Sequence, residues 1–144
     1  MSSQATPRPM PAFAPVTIAG LSQISGVDVQ VIREYVRAGL VPEPRRRRGR
    51  SGDKAFHREH LDRLRFISRA LALGFSLETI RELLGIDGGY RTCGDAYRLT
   101  LRTLAEIRAL GVEPSPVLLD LVDACPKRGG PGDCVILAEL QRPD

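Results

Sequence analysis

Three cysteines stand in this 144-residue chain, Cys93, Cys125 and Cys134, the last two nine positions apart in the segment DACPKRGGPGDCVIL. Thiols in such a set can ligate a thiophilic ion, act as a redox group that closes one disulfide and leaves one thiol over, or serve as small core residues. An odd number of cysteines, with no apolar stretch long enough for a secretory signal, argues against a disulfide scaffold and for a reducing, cytoplasmic setting. An iron–sulfur cluster ordinarily takes four cysteines, one more than are present. Between Cys125 and Cys134, PKRGGPG supplies the glycines and prolines that let a backbone reverse and bring the two together. His57 and His60, three apart at the start of a helix, are expected at a solvent-exposed helix end and not in a site.

A second set of side chains suggests a polyanionic partner. The net charge of +4 is uneven: residues 1–72 hold 13 Lys and Arg against 6 Asp and Glu, whereas residues 73–144 hold 8 against 11. Most of the early surplus lies in VPEPRRRRGRSGDKAF, with Arg45, Arg46, Arg47, Arg48, Arg50 and Lys54. Clustered positive charge of this kind is the footprint of nucleic-acid phosphates. No run of 18 apolar residues occurs, so no membrane span is expected.

The elements that must position these groups are mostly helical. TIAGLSQISG begins with Thr17 as a helix cap, places Ile18, Leu21 and Ile24 on one face, and reaches a turn at Gly26. DVQVIREYVRAGL opens on Asp28, repeats Val31, Ile32, Tyr35 and Val36 at helical spacing, and stops at Gly39. Two short helices across a glycine turn are the pattern of a helix-turn-helix. The proline- and glycine-rich basic stretch then reads as a two-stranded wing. HREHLDRLRFISRALALGF follows, with Leu61, Leu64, Phe66, Ile67 and Leu71 facing a core. Gly74 interrupts it, and Ser76 caps SLETIRELLGI. In CGDAYRLTLRTLAEIRAL, Tyr97, Leu101, Leu104 and Ile107 share a face before GVEPSPVLL breaks the helix, since an internal proline costs roughly 3 kcal/mol.

This order, with IREYVRAGL, the arginine-rich wing and LDRLRFISRALALGFSLETIRELL, resembles the DNA-binding domain of MerR-type transcription regulators over residues 16–86. A cysteine before the long helix and a Cys-x8-Cys loop followed by VILAEL resemble the subgroup that senses mercuric ion and, in close relatives, lead or cadmium. The resemblance implies a mainly α fold: a disordered tail over 1–15 and a winged helix-turn-helix over 16–88. A dimerisation helix region over 89–124, interrupted near 111–116, and a metal-binding loop with a C-terminal helix over 125–144 complete it. It implies a homodimer on double-stranded promoter DNA, acting on RNA polymerase indirectly through promoter shape, repressing without metal and activating with it. Cys93 of one chain would join Cys125 and Cys134 of its partner, with Lys127 and Arg128 offsetting the thiolate charge. Folding back at the proline elbow would instead let Cys93 meet the loop of its own chain. Hg(II) is the first candidate effector, with Pb(II), Cd(II) or Zn(II) as alternatives. No organic cofactor and no enzymatic chemistry are expected.

For the DNA contacts, Arg33 is the candidate for a base edge, because its fork addresses guanine bidentately. Tyr35, Arg37 and Lys54 are assigned to phosphates with Arg45, Arg46, Arg47, Arg48 and Arg50, while Thr17, Val29 and Gln30 complete the set. Glu34 before Tyr35 and Asp53 in the wing depart from the family pattern. Two other classes compete: a DNA-binding protein whose thiols sense redox state, and a metal-sequestering protein without a regulatory role. The basic wing counts against the second.

Overall fold

Capping chemistry sets most of the helix boundaries. Thr17 Oγ1 accepts the Gly20 N–H at 3.2 Å and starts α1 (Ile18–Ser25), and Gly26, at φ 74°, ends it by donating to the Ser22 carbonyl at 2.8 Å. The Ser22 hydroxyl donates to the Val27 carbonyl at 2.6 Å, closing the turn. Asp28 caps α2 (Val29–Arg37) by accepting the Gln30 N–H at 2.8 Å. The computed structural model describes residues 14–46, 54–85, 93–124 and 134–142, without the side chains of Arg45, Arg46 and Cys93.

The wing is a two-stranded antiparallel ladder, β1 (Arg45–Arg46) with β2 (Lys54–Ala55), registered Arg45 to Ala55 and Arg46 to Lys54. A further bridge joins Val16 and Phe56 through two hydrogen bonds of 2.9 Å. The base of the wing is thereby tied to the start of α1, so wing and helix-turn-helix are set as one body.

From the wing the chain enters α3 (Arg58–Leu73), the central helix. Leu61, Leu64, Phe66, Ile67, Ala70 and Leu73 are all buried along it, a broad arc against which α1, α4 and α7 pack. Leu71, expected in that core, is 41% exposed. Ile24, expected beside Leu21, is likewise exposed at the end of α1. Gly74, at φ 104°, terminates α3. Ser76 then starts α4 (Leu77–Leu84), its Oγ accepting the Thr79 N–H at 3.1 Å and its hydroxyl donating to Thr79 Oγ1 at 3.0 Å. Ser76→Ala removes both bonds, and an expected loss of about 1 kcal/mol in urea unfolding checks the cap.

The long helix does break at the elbow. Among the described residues α5 (Cys93–Ala109) is followed by Gly111 at φ 74°, whose N–H donates to the Arg108 carbonyl at 3.0 Å. Ser115 and Pro116 then open α6 (Pro116–Ala124), Ser115 Oγ accepting the Val117 N–H at 3.2 Å and proline taking the first helical position. α6 packs on α5, and α7 (Val135–Gln141) packs on α3, α5 and α6. Ala96, Leu104, Leu118, Leu121, Ile136, Leu137 and Leu140 join one continuous core with the helix-turn-helix residues Leu21 and Ile32. Leu101, expected on the buried face of α5, is 38% exposed, and Leu110 is 79% exposed at the elbow.

Candidate nucleic-acid interface and thiol site

Arg33 and Arg37 are one helical turn apart on α2 and therefore share a face. With Val36 they form one wall of an open cleft of about 550 Å³. Thr17 and Ile18 at the start of α1 form a second wall, and Lys54 and Phe56 on the wing side a third. Glu43 and Pro44, which enter the wing, close it. Three cations, Arg33, Arg37 and Lys54, thus face one carboxylate, a local surplus suited to an anionic surface. Gln30 is exposed and Val29 half-buried in the first turn of α2.

Tyr35 is placed differently. Two residues beyond Arg33, it lies roughly 200° around the helix, and its half-buried ring packs against the core. Burial, then the charge of Glu34, push its phenol above the usual 10.0, so it remains a neutral donor at physiological pH. Its backbone carbonyl accepts the Leu40 N–H at 2.9 Å. Arg45 and Arg46 form β1, while Arg47, Arg48, Arg50 and Asp53 lie outside the described residues.

Sequence reasoning missed what holds α2 in place. Arg63 of α3 donates from Nη1 to the Leu40 carbonyl at 2.8 Å, and Arg81 of α4 donates to the Ala38 carbonyl. These two clamps grip the turn at Gly39, φ 78°, immediately after the helix that carries Arg33 and Arg37. Burial lowers the Arg63 guanidinium below its usual value, with Glu59 opposing that shift, and an arginine still stays charged. No periodicity marks either arginine for this task, because the carbonyls they cap lie 23 and 43 residues away.

The histidines depart from expectation in one respect. His60 is fully buried, not solvent-exposed: its Nδ1 accepts the His57 backbone N–H at 2.8 Å, and its ring stands edge-on to Phe56, centroids 5.2 Å apart. An accepting Nδ1 puts the proton on Nε2, which has no hydrogen-bond partner among the described residues. The imidazole replaces the usual oxygen-bearing cap at the start of α3 and packs beneath the wing.

Of the three thiols, Cys134 is placed in full. It is free, 1% exposed, and occupies the cap position of α7 within the common core. Cys93 is the first residue of α5, and Cys125 lies outside the described residues, as do Lys127 and Arg128. Among the described residues no three His, Cys, Asp or Glu side chains gather. The donor set by itself is three soft sulfurs, one shielded from water, and that fits a thiophilic ion better than a hard, oxygen-seeking one.

A helix-turn-helix bonded to a basic wing, with a surplus of cations between them, defines a DNA-binding protein. Residues 16–85 match the family model described as MerR HTH family regulatory protein, and residues 61–110 match the one described as MerR, DNA binding. The mercuric resistance operon regulatory protein of Serratia marcescens is 36% identical over 129 residues, spanning 88% of this chain and 88% of that protein. The protein of the same name from Bacillus cereus is 33% identical over 129 residues, covering 87% of this chain and 96% of its own length. The crystal structure of the transcription regulator PbrR691 from Ralstonia metallidurans CH34, in complex with lead(II), superposes with a TM-score of 0.52. It has 34% identity and covers 87% of this chain and 98% of that one. The chain belongs to the MerR family, in its heavy-metal-responsive subgroup, and is a transcription regulator, not an enzyme.

Proposed function

We propose that this regulator senses Hg(II) through the thiolates of Cys93, Cys125 and Cys134 and switches a promoter from repressed to active by distorting its DNA. The observation that carries the reading is the free, buried Cys134 at the head of α7, a helix that packs on the same α3 that continues from the wing. A ligand at Cys134 therefore acts on an element in direct contact with the DNA-binding body. Regulation requires that the ligand favour one arrangement of that contact over the other, since an effector shifts an equilibrium only by its differential affinity. Bending and twisting the operator costs energy that Arg33, Arg37, Lys54 and the wing arginines offset at the phosphates.

In this reading the chain works in the cytoplasm as a homodimer, acts on RNA polymerase only through promoter shape, and needs no organic cofactor. The exposed Leu101, Leu110, Val112 and Val117 along α5, the elbow and α6 support a second copy there, because an apolar surface of this kind favours association. Residues 16–88 serve DNA, 89–124 dimerisation, and 125–144 the metal, behind a tail over 1–15. The names of the two relatives favour mercury. PbrR691 with its lead(II) supports Pb(II) as the second reading, and three sulfurs also admit Cd(II) or, with a water, Zn(II).

Titrating the reduced protein with Hg(II), followed by ultraviolet thiolate-to-metal absorption, tests this directly. Saturation at one ion per dimer or per chain is expected, lost when any one of Cys93, Cys125 or Cys134 becomes serine. Binding that survives Cys93→Ser unchanged would remove that residue from the site and overturn the three-thiolate reading.

A further inference from the structure

Little of its own surface holds the helix that carries Arg33 and Arg37. Of the nine residues of α2 only Ile32 is fully buried, with Val31, Tyr35 and Val36 half-buried, and the helix packs mainly on α1. One deeply buried side chain sets the depth of a helix but leaves its roll loosely determined. Side chains end about 5–6 Å from a helix axis, so a roll of about 10° carries them about 1 Å. The working range of an N–H···O bond is only about 0.5 Å wide, so a roll of that size is enough to lose a base contact.

Two other helices supply the missing constraint. Beyond Arg37 the Ala38 N–H donates to the Glu34 carbonyl at 2.9 Å, and the Leu40 N–H donates to the Tyr35 carbonyl at 2.9 Å. The turn and the last turn of α2 therefore move together. Arg63 of α3 holds the Leu40 carbonyl and Arg81 of α4 holds the Ala38 carbonyl, so this small piece of backbone is gripped from two directions. Bonds from an ionised donor are roughly twice as strong as neutral ones, and both cations stand at the negative end of the α2 dipole. Neither arginine lines the cleft that holds Arg33, Arg37 and Lys54.

We propose that Arg63 and Arg81 are positioning residues for DNA recognition: they fix the roll of α2, and so set sequence discrimination without touching the duplex. The inference rests on Arg33 reading a base edge. Arg63 refers α2 to the helix that continues from the wing, and Arg81 refers it to α4.

In the test, full-length protein first selects a duplex from a random-sequence pool, and a scrambled version of that duplex is the reference. The ratio of the two affinities is measured well below the unfolding midpoint. Loss of positive charge alone weakens both duplexes alike, so the ratio reports position. Wild-type preference for the selected duplex tests the DNA-binding reading, and the variants test the clamps. Arg63→Met/Arg81→Met, with the helical circular dichroism of wild type retained, is expected to lower the ratio about tenfold and leave the slope of log K against log[salt] unchanged. An unchanged ratio, whatever happens to the unfolding midpoint, reduces both arginines to stability and overturns the proposal. A fall accompanied by a slope flattened by about 2 also overturns it, because the arginines then hold phosphates themselves. Should the double variant fail to fold, Arg81→Met alone decides, since its bond to Ala38 lies at the surface. A fall of about threefold in the ratio is expected there, and no fall sinks the idea.

Discussion

Gly74→Ala is expected to destabilise the protein by about 1–2 kcal/mol, lowering the thermal midpoint by roughly 5 °C. Two independent costs add. At φ 104° an L side chain is strained, and this is the larger cost; a Cβ there would also sit 2.6 Å from Ile107 Cδ1, a contact the end of that side chain relieves by turning aside at a smaller cost. The glycine is thus the point where the corner between α3 and α4 meets the last turns of α5. Arg102 reinforces the same seam from α5, donating to Thr79 Oγ1 at 3.0 Å and to Glu82 at 3.3 Å. A double-mutant cycle separates the two costs. In an Ile107→Ala background the steric part disappears and only the backbone part remains, giving a coupling of up to about 1 kcal/mol. Strict additivity of the two substitutions would show that the α5 helix does not rest on Gly74 in solution. Because this seam joins the thiol-bearing end of the chain to the DNA-binding end, its loss should also reduce any metal-dependent change in DNA affinity.

Arg33→Ala is expected to weaken operator binding by about 1–3 kcal/mol, a fall of roughly 5- to 150-fold, and to relax sequence preference at one base pair of each half-site. Arg37→Ala should weaken all duplexes alike and flatten the slope of log K against log[salt] by about 1. The contrast between the two follows from their roles, since a base contact discriminates sequences and a phosphate contact does not. Both line the same cleft with Lys54, so the two variants report on one surface. Competition binding against scrambled duplexes at several salt concentrations distinguishes the outcomes. If Arg33→Ala loses affinity equally for every sequence, its side chain holds a phosphate and the base-edge role passes elsewhere.

The helix-turn-helix was legible because its signals are local. Thr17, Asp28 and Ser76 cap the helices they precede, and Gly26 and Gly74 end the helices they follow. Each depends on residues within one turn. The cleft beside α2 was legible in part: Arg33 and Arg37 share a face by spacing alone, and Lys54 belongs to the wing. Tyr35 was legible too: two residues from Arg33 are about 200° of helix, and it already belonged to the periodic apolar set with Val31, Ile32 and Val36 that packs on the core. The clamps of Arg63 and Arg81 on the turn at Gly39 left no local trace at all.

By itself, then, the sequence determined where helices start and stop, that the helix after Cys93 must break near Gly111 and Pro114, and that three thiols and a basic wing belong to one small chain. Capping, backbone sterics and composition act over a few residues and need no partner. Only the tertiary structure decided that α6 lies on α5 and that α7 seats Cys134 in the common core against α3. It also decided that His60 is buried under the wing and that Arg63 and Arg81 reach the turn after α2. Each of these rests on which apolar faces meet across long stretches of chain, a choice made by burial of shared surface, to which local residue order is nearly blind.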